Sequence, residues 1–307
     1  MRSAAASQER TPGEVYTAPF TMRSLPTALK LDNIMVATDF SPASKVATRY
    51  AIAIARRHKA KLHVIHVASS QSEGPLMDAW RAGQAEIMDH FIAGRLTGIQ
   101  HDLLVKPGDV WTVLSGLIAE RNIDLAVVGT HGRTGVWKLI MGSVAERIFR
   151  SSACPVLTVG PSAEQDPEAG IQRILVPTGF AHQSLHAVQY ALWLAEQLQS
   201  SLALLHVVTD VGQLPEQEKE RIRTERRKRL QTLVPADARL PRPSEFFVEF
   251  GGAADQVLQT AGRWNPNLIV LGLRPAGQAP HPETAQAKAY EIVCKAACPV
   301  MTIREPA

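Results

Sequence analysis

Residues 34–41 read IMVATDFS and residues 174–181 read ILVPTGFA, so one short pattern occurs twice at an offset of 140. The correspondence extends to Cys154 and Cys298, where the offset has grown to 144. A repeat of this length in a chain of 307 residues predicts two domains, each large enough to bury its own core. The two copies share their core pattern and differ mainly in their loops. A loop that differs between them is therefore a candidate for a function that only one domain has.

The repeat and the composition also suggest where the domains begin and end. We expect a disordered or targeting extension at 1–30 and a first domain at 31–160. A Pro-containing acidic linker at 161–170 should then lead to a second domain at 171–307.

Composition disfavours several functional classes. With 45% apolar and 20% charged residues the chain is ordinary for a globular protein, and no apolar run approaches the roughly 18 residues of a membrane span. Three Cys residues in apolar settings are too few for a disulfide framework, which favours a reducing cytoplasm. The charge-dense segment 216–229 is interpreted as a solvated helix face, and a nucleic-acid surface is disfavoured because no aromatic residues interleave with the charges.

Short apolar runs alternate with helical periodicity along the first repeat. Strands are expected at 34–37, 62–67, 101–105, 124–128 and 155–159. Helices are expected between them, at 43–58, about 76–95, 110–121 and 143–151, with Ser41-Pro42 and Gly108-Asp109 as helix starts. Crossovers of this kind predict an α/β fold with two tandem doubly wound domains, each built on a five-stranded, mostly parallel sheet.

The last strand of each domain would be an apolar sheet edge, which is an aggregation hazard unless it is covered. We therefore expect strands 155–159 and 299–303 to pair antiparallel and to join the domains side by side. Ligands of doubly wound sheets lie outside the carboxyl ends of the strands, where the winding direction switches. The loops that follow the strands are therefore the places to look for a site.

A glycine-rich loop follows the fourth strand and reads GTHGRTGVWKLIMGS at residues 129–143. Glycines at 129 and 132 allow tight turns and a close approach to a ligand, and Gly142-Ser143 opens a helix whose N–H groups suit phosphate. The loop lacks the Lys-Ser/Thr of a P-loop, and it follows the wrong strand for a Rossmann fingerprint. It predicts a phosphate cradle of another kind.

The spacing Gly-x2-Gly-x9-Gly-Ser, the Thr38-Asp39 pair and a terminal Cys-Pro-Val-x-Thr-Val strand together resemble the universal stress protein family, over about 31–160 and 171–304. The resemblance implies the Rossmann-like, adenine nucleotide alpha hydrolase-like fold in tandem and a site for ATP, with or without Mg²⁺. It implies adenine and ribose contacts near Asp39 and Val67, and phosphate contacts at the glycine loop. The binding residues that it implies are Thr38, Asp39, Val67, Gly129, Gly132, Arg133, Gly142, Ser143 and Val144. Arg133 is either a charge near the phosphates or simply solvated, and His131 is interpreted as a bystander.

The second copy has lost these parts. Asp39 becomes Gly179, Gly132 becomes Pro275 and Gly142-Ser143 becomes Gln286-Ala287, while Gly272 persists. A proline removes a main-chain donor, and Gly179 removes a carboxylate. We expect a degenerate nucleotide site in the second domain, which would supply an interface or a different ligand pocket.

Other candidate ligating residues have ordinary structural interpretations. His66 and His206 occupy matching positions and are interpreted as satisfied core histidines. Cys294 and Cys298 are four residues apart, but Cys154 has no such partner, so we expect buried thiols and neither a metal site nor a redox pair.

The leading functional hypothesis is an ATP-binding, nucleotide-dependent regulator in the stress response, in which ATP occupancy orders the 133–141 loop and changes what the surface can bind. One alternative is a slow ATP hydrolase or phosphotransfer enzyme, for which Asp39, His131 and Arg133 are candidates without a dedicated catalytic arrangement. The other is a nucleotide-independent scaffold, favoured if Trp137 or Lys138 blocks the pocket. The expected partners are an adenine nucleotide, an unidentified protein and the paired domain itself, with a homodimer left open and no membrane.

Overall fold

The computed structural model describes residues 30–68, 83, 86–88, 90–92, 94–130, 141–160, 163, 167, 170–209, 212, 214–274 and 285–304. Its strands are β1 Asn33–Ala37, β2 Lys61–Ala68, β3 His101–Pro107, β4 Leu125–Gly129, β5 Val156–Val159, β6 Arg173–Pro177, β7 Ser201–Val208, β8 Glu245–Phe250, β9 Leu268–Leu273 and β10 Val300–Arg304. Its helices are α1 Pro42–His58, α2 Val110–Glu120, α3 Ser143–Ser151, α4 His182–Leu198, α5 Glu216–Gln231, α6 Ala253–Trp264 and α7 Ala285–Lys295. Further helical residues lie between β2 and β3, at 83, 86–88 and 90–92, within the helix expected at 76–95.

The strands form one continuous sheet in the order β3-β2-β1-β4-β5-β10-β9-β6-β7-β8. Pairing is parallel within each half, as the crossover helices require. The order 3-2-1-4-5 places the switch in winding direction between β1 and β4, and the second half repeats it between β6 and β9. The predicted α/β fold with two doubly wound, five-stranded halves is confirmed.

The two halves meet where β5 and β10 pair antiparallel, with Met301 opposite Leu157 and Val300 opposite Thr158. This is the edge pairing that the sequence predicts. The paired residues are almost completely buried, so neither apolar edge is left open. Arg57 adds a contact between the halves, since its guanidinium donates to the carbonyl of Leu198 over 3.0 Å.

Helices cover both faces of the sheet because the strands are apolar on both sides. In β1, Ile34 and Val36 belong to the core beneath α1 and α4, whereas Met35 belongs to the core beneath α2, α3, α6 and α7. Each core contains residues of both halves, so the packing runs across the β5–β10 junction. Within the described residues, no helix is long and apolar enough to cross a membrane.

The predicted helix starts are confirmed at two places. Ser41 caps α1 by accepting the N–H of Ser44 over 3.2 Å, with Pro42 in the first turn. Asp109 caps α2 by accepting the N–H of Thr112 over 2.9 Å.

The five strands of the first half differ from their predicted bounds by one or two residues, and two of these differences have a clear physical reason. β3 continues to Pro107, because it pairs with β2 as far as Ala68, and a proline is tolerated at the end of a strand on the sheet edge. β4 begins at Leu125, since the carboxylate of Asp124 accepts the N–H groups of Asp32 and Asn33 over 2.9 and 2.8 Å. Asp124 therefore anchors the start of the neighbouring strand.

Candidate functional site

The sequence-predicted residues that the structure describes gather at the carboxyl edge of β1, β2 and β4. Val36 is level with Val127 in β4, so two residues further Thr38 is level with Gly129. Ala37 is level with Ile65 in β2, which puts Asp39 level with Val67. This is the switch point of the first half, where ligands of doubly wound folds bind. Gly132 and Arg133 lie outside the described residues, as do His131, Trp137, Lys138 and Pro275.

The turn between β1 and α1 is held by Thr38, which is buried. Its hydroxyl accepts the N–H of Phe40 over 3.0 Å and lies 3.0 Å from the hydroxyl of Ser44. Phe40 has a left-handed backbone with φ 63°, which is unusual for a bulky residue and depends on such contacts.

The second half builds the same turn with Thr178, Phe180 and Ser184 at matching distances, and Phe180 has φ 60°. Since the second half keeps it although Gly179 replaces Asp39, this use of the threonine hydroxyl serves the turn.

Asp39 is half-buried, and its carboxylate accepts the N–H of Ser41 over 3.0 Å. The bond lies within the turn that precedes α1, at the carboxyl edge of the sheet. Its counterpart Gly179 is exposed, and a Cβ built there would meet nothing within 4 Å. The carboxylate is therefore absent from the second half for a reason other than space.

Gly129 is required by packing. A Cβ at this position would lie 2.9 Å from the carbonyl carbon of Ala43, because α1 passes directly over the end of β4. Gly272 meets the same restriction from Gln183 of α4. Packing therefore explains why both halves have a glycine here, and it is a role for Gly129 that the sequence interpretation missed.

The ends of the glycine loop are joined by a main-chain hydrogen bond. The N–H of Gly142 donates to the carbonyl of Thr130 over 2.7 Å, so this N–H is already used. The first hydrogen bond within α3 is donated by Glu146 to Gly142 over 2.9 Å. The N–H groups of Ser143, Val144 and Ala145 thus precede the helical hydrogen-bond pattern, and Ser143 is exposed.

The second half contacts the end of this loop. The N–H of Met141 donates to the hydroxyl of Tyr290 in α7 over 3.1 Å, and the Tyr290 ring meets Phe149 of α3 edge-on at 6.1 Å. The Arg304 guanidinium donates to the carbonyl of Phe149 over 2.6 Å. Tyr290 was missed by sequence reasoning, although its alignment with Glu146 at the 144 offset marks it as a difference between the repeats.

The histidines and cysteines match their structural interpretations. The Nδ1–H groups of His66 and His206 donate to the carbonyls of Thr38 and Thr178, each over 2.8 Å. All three cysteines are free and buried, and burial raises the pKa of the Cys298 thiol to about 12. No cluster of potential metal ligands occurs among the described residues.

Comparison with known proteins agrees with this architecture. The sequence model of the universal stress protein family matches residues 30–160 and 170–304. A universal stress protein of Methanocaldococcus jannaschii is 30% identical over 141 residues, which cover 41% of this chain and 80% of the relative. A putative universal stress protein of Staphylococcus aureus is 32% identical over 139 residues, covering 41% and 82%.

The relative from Mycolicibacterium smegmatis, also described as a universal stress protein, is 30% identical over 136 residues. That match spans 42% of this chain and 45% of the relative, so less than half of the relative's length is represented.

Solved structures show the fold over nearly the whole chain. A universal stress protein from Archaeoglobus fulgidus has a TM-score of 0.66 at 18% identity, covering 89% of this chain and 98% of that one. A putative universal stress protein from Pseudomonas aeruginosa has a TM-score of 0.59 at 16% identity, covering 90% and 94%. Identities this low speak for the fold alone.

Proposed function

Because the chain belongs to the universal stress protein family, we propose that it is an ATP-binding regulator whose nucleotide site lies in the first half. Family membership supports a role in the stress response. The proposal adds the ligand and its place, with Asp39 on the ribose side and the start of α3 on the phosphate side.

The start of α3 fits a phosphate group. Three successive N–H groups, from Ser143 to Ala145, precede the first helical hydrogen bond, and the exposed hydroxyl of Ser143 stands beside them. Helix N-termini favour anions through these donors and through the helix dipole. Glu146 in the same turn would repel a phosphate, but its carboxylate is paired with Arg150 over 2.9 Å.

The opposite side of the site fits a sugar. The Asp39 carboxylate stands at the carboxyl edge between β2 and β4, and carboxylate oxygens accept hydrogen bonds from hydroxyl groups. Half-buried Val67 borders the same edge on β2 and offers apolar surface. ATP would supply its own phosphate chemistry when bound, while these residues bind and orient it.

The observation that carries the proposal is the contrast between the halves. Both keep the threonine turn and the packing glycine, which the fold needs. Only the first half has the carboxylate and the Gly-Ser helix start, which the fold does not need. Residues that are dispensable for folding and differ between otherwise matched copies are those expected to serve a ligand.

The proposal is tested by measuring which nucleotide the purified protein carries and how many ATP molecules each chain binds. Protein purified without added nucleotide should release ATP on denaturation, identified by mass spectrometry. Titration calorimetry on stripped protein should then give one tight ATP site per chain that weakens at least about tenfold in Asp39→Gly, since a hydrogen bond to a charged group is lost. In the matched variant Gly179→Asp the new Cβ meets nothing within 4 Å, and this variant should create no second tight site. Two equivalent tight sites, or an unchanged affinity in Asp39→Gly, would overturn the proposal.

A further inference from the structure

Helix α5 presents arginines to the body of the protein. Its half-buried residues include Arg223, Arg226 and Arg229, three residues apart on one face, with Leu230 buried beside them. The expectation of a solvated charged face therefore holds for only one side of this helix. A helix face that packs inward is ordinarily apolar, so this row, which we name the arginine row, needs an explanation.

The arginine row crosses the carboxyl ends of three neighbouring strands. The Arg223 guanidinium lies 5.3 Å from the centre of the Phe250 ring, at the end of β8. The Arg229 guanidinium lies 4.1 Å from the centre of the Phe180 ring, just after β6. His206 belongs to β7, the strand between these two. Burial lowers the pKa of its imidazole, and the positive charges of Arg226 and Arg229 lower it further.

The same place in the first half has a different chemistry. There the Phe40 ring, the counterpart of Phe180, meets the ring of Phe91 at 5.5 Å, and the turn carries Asp39. In the second half the guanidinium of Arg229 contacts the Phe180 ring, and Gly179 replaces the carboxylate. The edge has thus changed from apolar and acidic to basic.

The row retains donors for a ligand. A guanidinium that stacks with its face on an aromatic ring keeps its N–H groups in the plane, pointing away from the ring. In the part of the chain that the structure describes, Arg223 pairs with Glu220 and Arg226 approaches Glu225 at 3.6 Å, but no carboxylate pairs with Arg229. Helix α5 carries seven basic and four acidic residues, so its charges leave a positive excess.

We propose that the arginine row binds a phosphate-bearing small molecule at the carboxyl edge of the second half. Guanidinium groups match phosphate oxygens in bidentate geometry, and two or more of them suit a doubly charged group. Arg229 lies six helical steps beyond Arg223, or about 9 Å at about 1.5 Å per step, which suits a phosphate ester or pyrophosphate more than a long polyanion. The proposal is independent of the ATP site in the first half.

The test uses inorganic pyrophosphate as the probe and the full chain in titration calorimetry. Arg226→Gln/Arg229→Gln should weaken pyrophosphate binding at the second half by about tenfold or more, since charge-assisted hydrogen bonds are lost. The matched control, Arg227→Gln/Lys228→Gln, removes the same charge from exposed neighbours on the same helix and should keep the affinity within about twofold. Arg226→Gln alone should also weaken binding, and it disturbs neither stacked ring.

Several results would overturn the proposal. Equal losses in the two double variants would indicate a diffuse charge effect. Binding that is insensitive to both would place pyrophosphate elsewhere, for example at α3. Binding of a short fluorescein-labelled single-stranded DNA, measured by fluorescence anisotropy, tests the alternative ligand. If the protein binds no pyrophosphate and DNA binding is weakened only in Arg226→Gln/Arg229→Gln, the arginine row is a nucleic-acid surface. A thermal melt matching the wild type establishes that each variant is folded.

Discussion

The main-chain N–H of Met141, at the end of the glycine loop, donates a hydrogen bond to the Tyr290 hydroxyl of the second half over 3.1 Å. The residue after Met141 is the cap of α3, so the contact reaches from α7 to the beginning of the proposed phosphate site. The second half is thereby connected to the end of this loop, in addition to the β5–β10 pairing and the contacts that Arg57 and Arg304 make between the halves.

Tyr290→Phe should loosen this connection without unfolding the protein. The ring contact with Phe149 remains while the acceptor for Met141 is lost, which should lower the free energy of unfolding by about 0.5–1.5 kcal/mol. We expect ATP affinity to fall several-fold, because the start of α3 is less well held. Urea denaturation and titration calorimetry measure the two effects. A stability loss without any change in ATP affinity would show that Tyr290 serves only the interface.

Gly129→Ala and Gly272→Ala should both destabilise the fold. The new methyl would press on the main chain of Ala43 in one case and overlap that of Gln183 in the other. Overpacking of this kind costs about 1–3 kcal/mol. Denaturant unfolding should therefore show lower stability for both variants, with Gly272→Ala at least as affected. A neutral Gly272→Ala would contradict the packing explanation, because that half lacks the proposed nucleotide site.

Asp39→Asn should affect binding more than chemistry. Its position at the end of β1 places it on the ribose side of the proposed site, away from the start of α3. We expect steady-state phosphate release from ATP to stay below about one per second, the lower end for complete phosphoryl-transfer sites. A malachite-green assay with parallel calorimetry decides this. Faster release that is lost in Asp39→Asn, with ATP affinity unaltered, would make the protein an ATP hydrolase.

Acid should destabilise the second half through His206. Burial and the charges of Arg226 and Arg229 lower the pKa of this imidazole in the folded protein, against the hydrogen bond to Thr178, which raises it. The folded state therefore favours the neutral ring, and its stabilising contribution is present above the unfolded pKa of about 6.5 and is lost as the pH falls below it.

The Arg226→Gln/Arg229→Gln variant isolates this effect, because it leaves His58 and His63 unchanged, whose pKa values burial also lowers. Urea denaturation at about pH 7 and about pH 5 should show a smaller loss of stability in the variant than in the wild type. Equal losses would mean that the two arginines do not influence His206.

The fold could be predicted from the sequence because it depends on local patterns that occur twice. The apolar runs and the caps at Ser41 and Asp109 follow from residues near one another in the chain, and the edge pairing follows from the apolar character of the last strand in each repeat. The packing role of Gly129 could not be predicted, because it depends on the close passage of α1 over the end of β4, which is a tertiary contact. The sequence pattern alone indicates a ligand role for this glycine. Tyr290 was missed for the same reason, since its partner Met141 is 149 residues away.

The arginine row illustrates a different limit of prediction. The spacing of Arg223, Arg226 and Arg229 is visible in the sequence, but which helix face packs inward depends on the neighbouring strands. Cation–π contacts with Phe180 and Phe250 accompany that face, and the two phenylalanines lie 49 and 27 residues from the arginines that they contact. The apolar periodicity of the segment alone therefore predicts that these three arginines are exposed to solvent, whereas they are half-buried.

The most direct test of the central claim is to locate the adenine ring on the chain. A photoreactive azidoadenine analogue of ATP, crosslinked to the full chain and mapped by peptide mass spectrometry, reports that position independently of where phosphate binds. We predict that the label falls on peptides from residues 30–160 and is competed by unmodified ATP. Equal labelling of peptides from residues 170–304, or labelling there alone, would contradict the assignment of the nucleotide site to the first half.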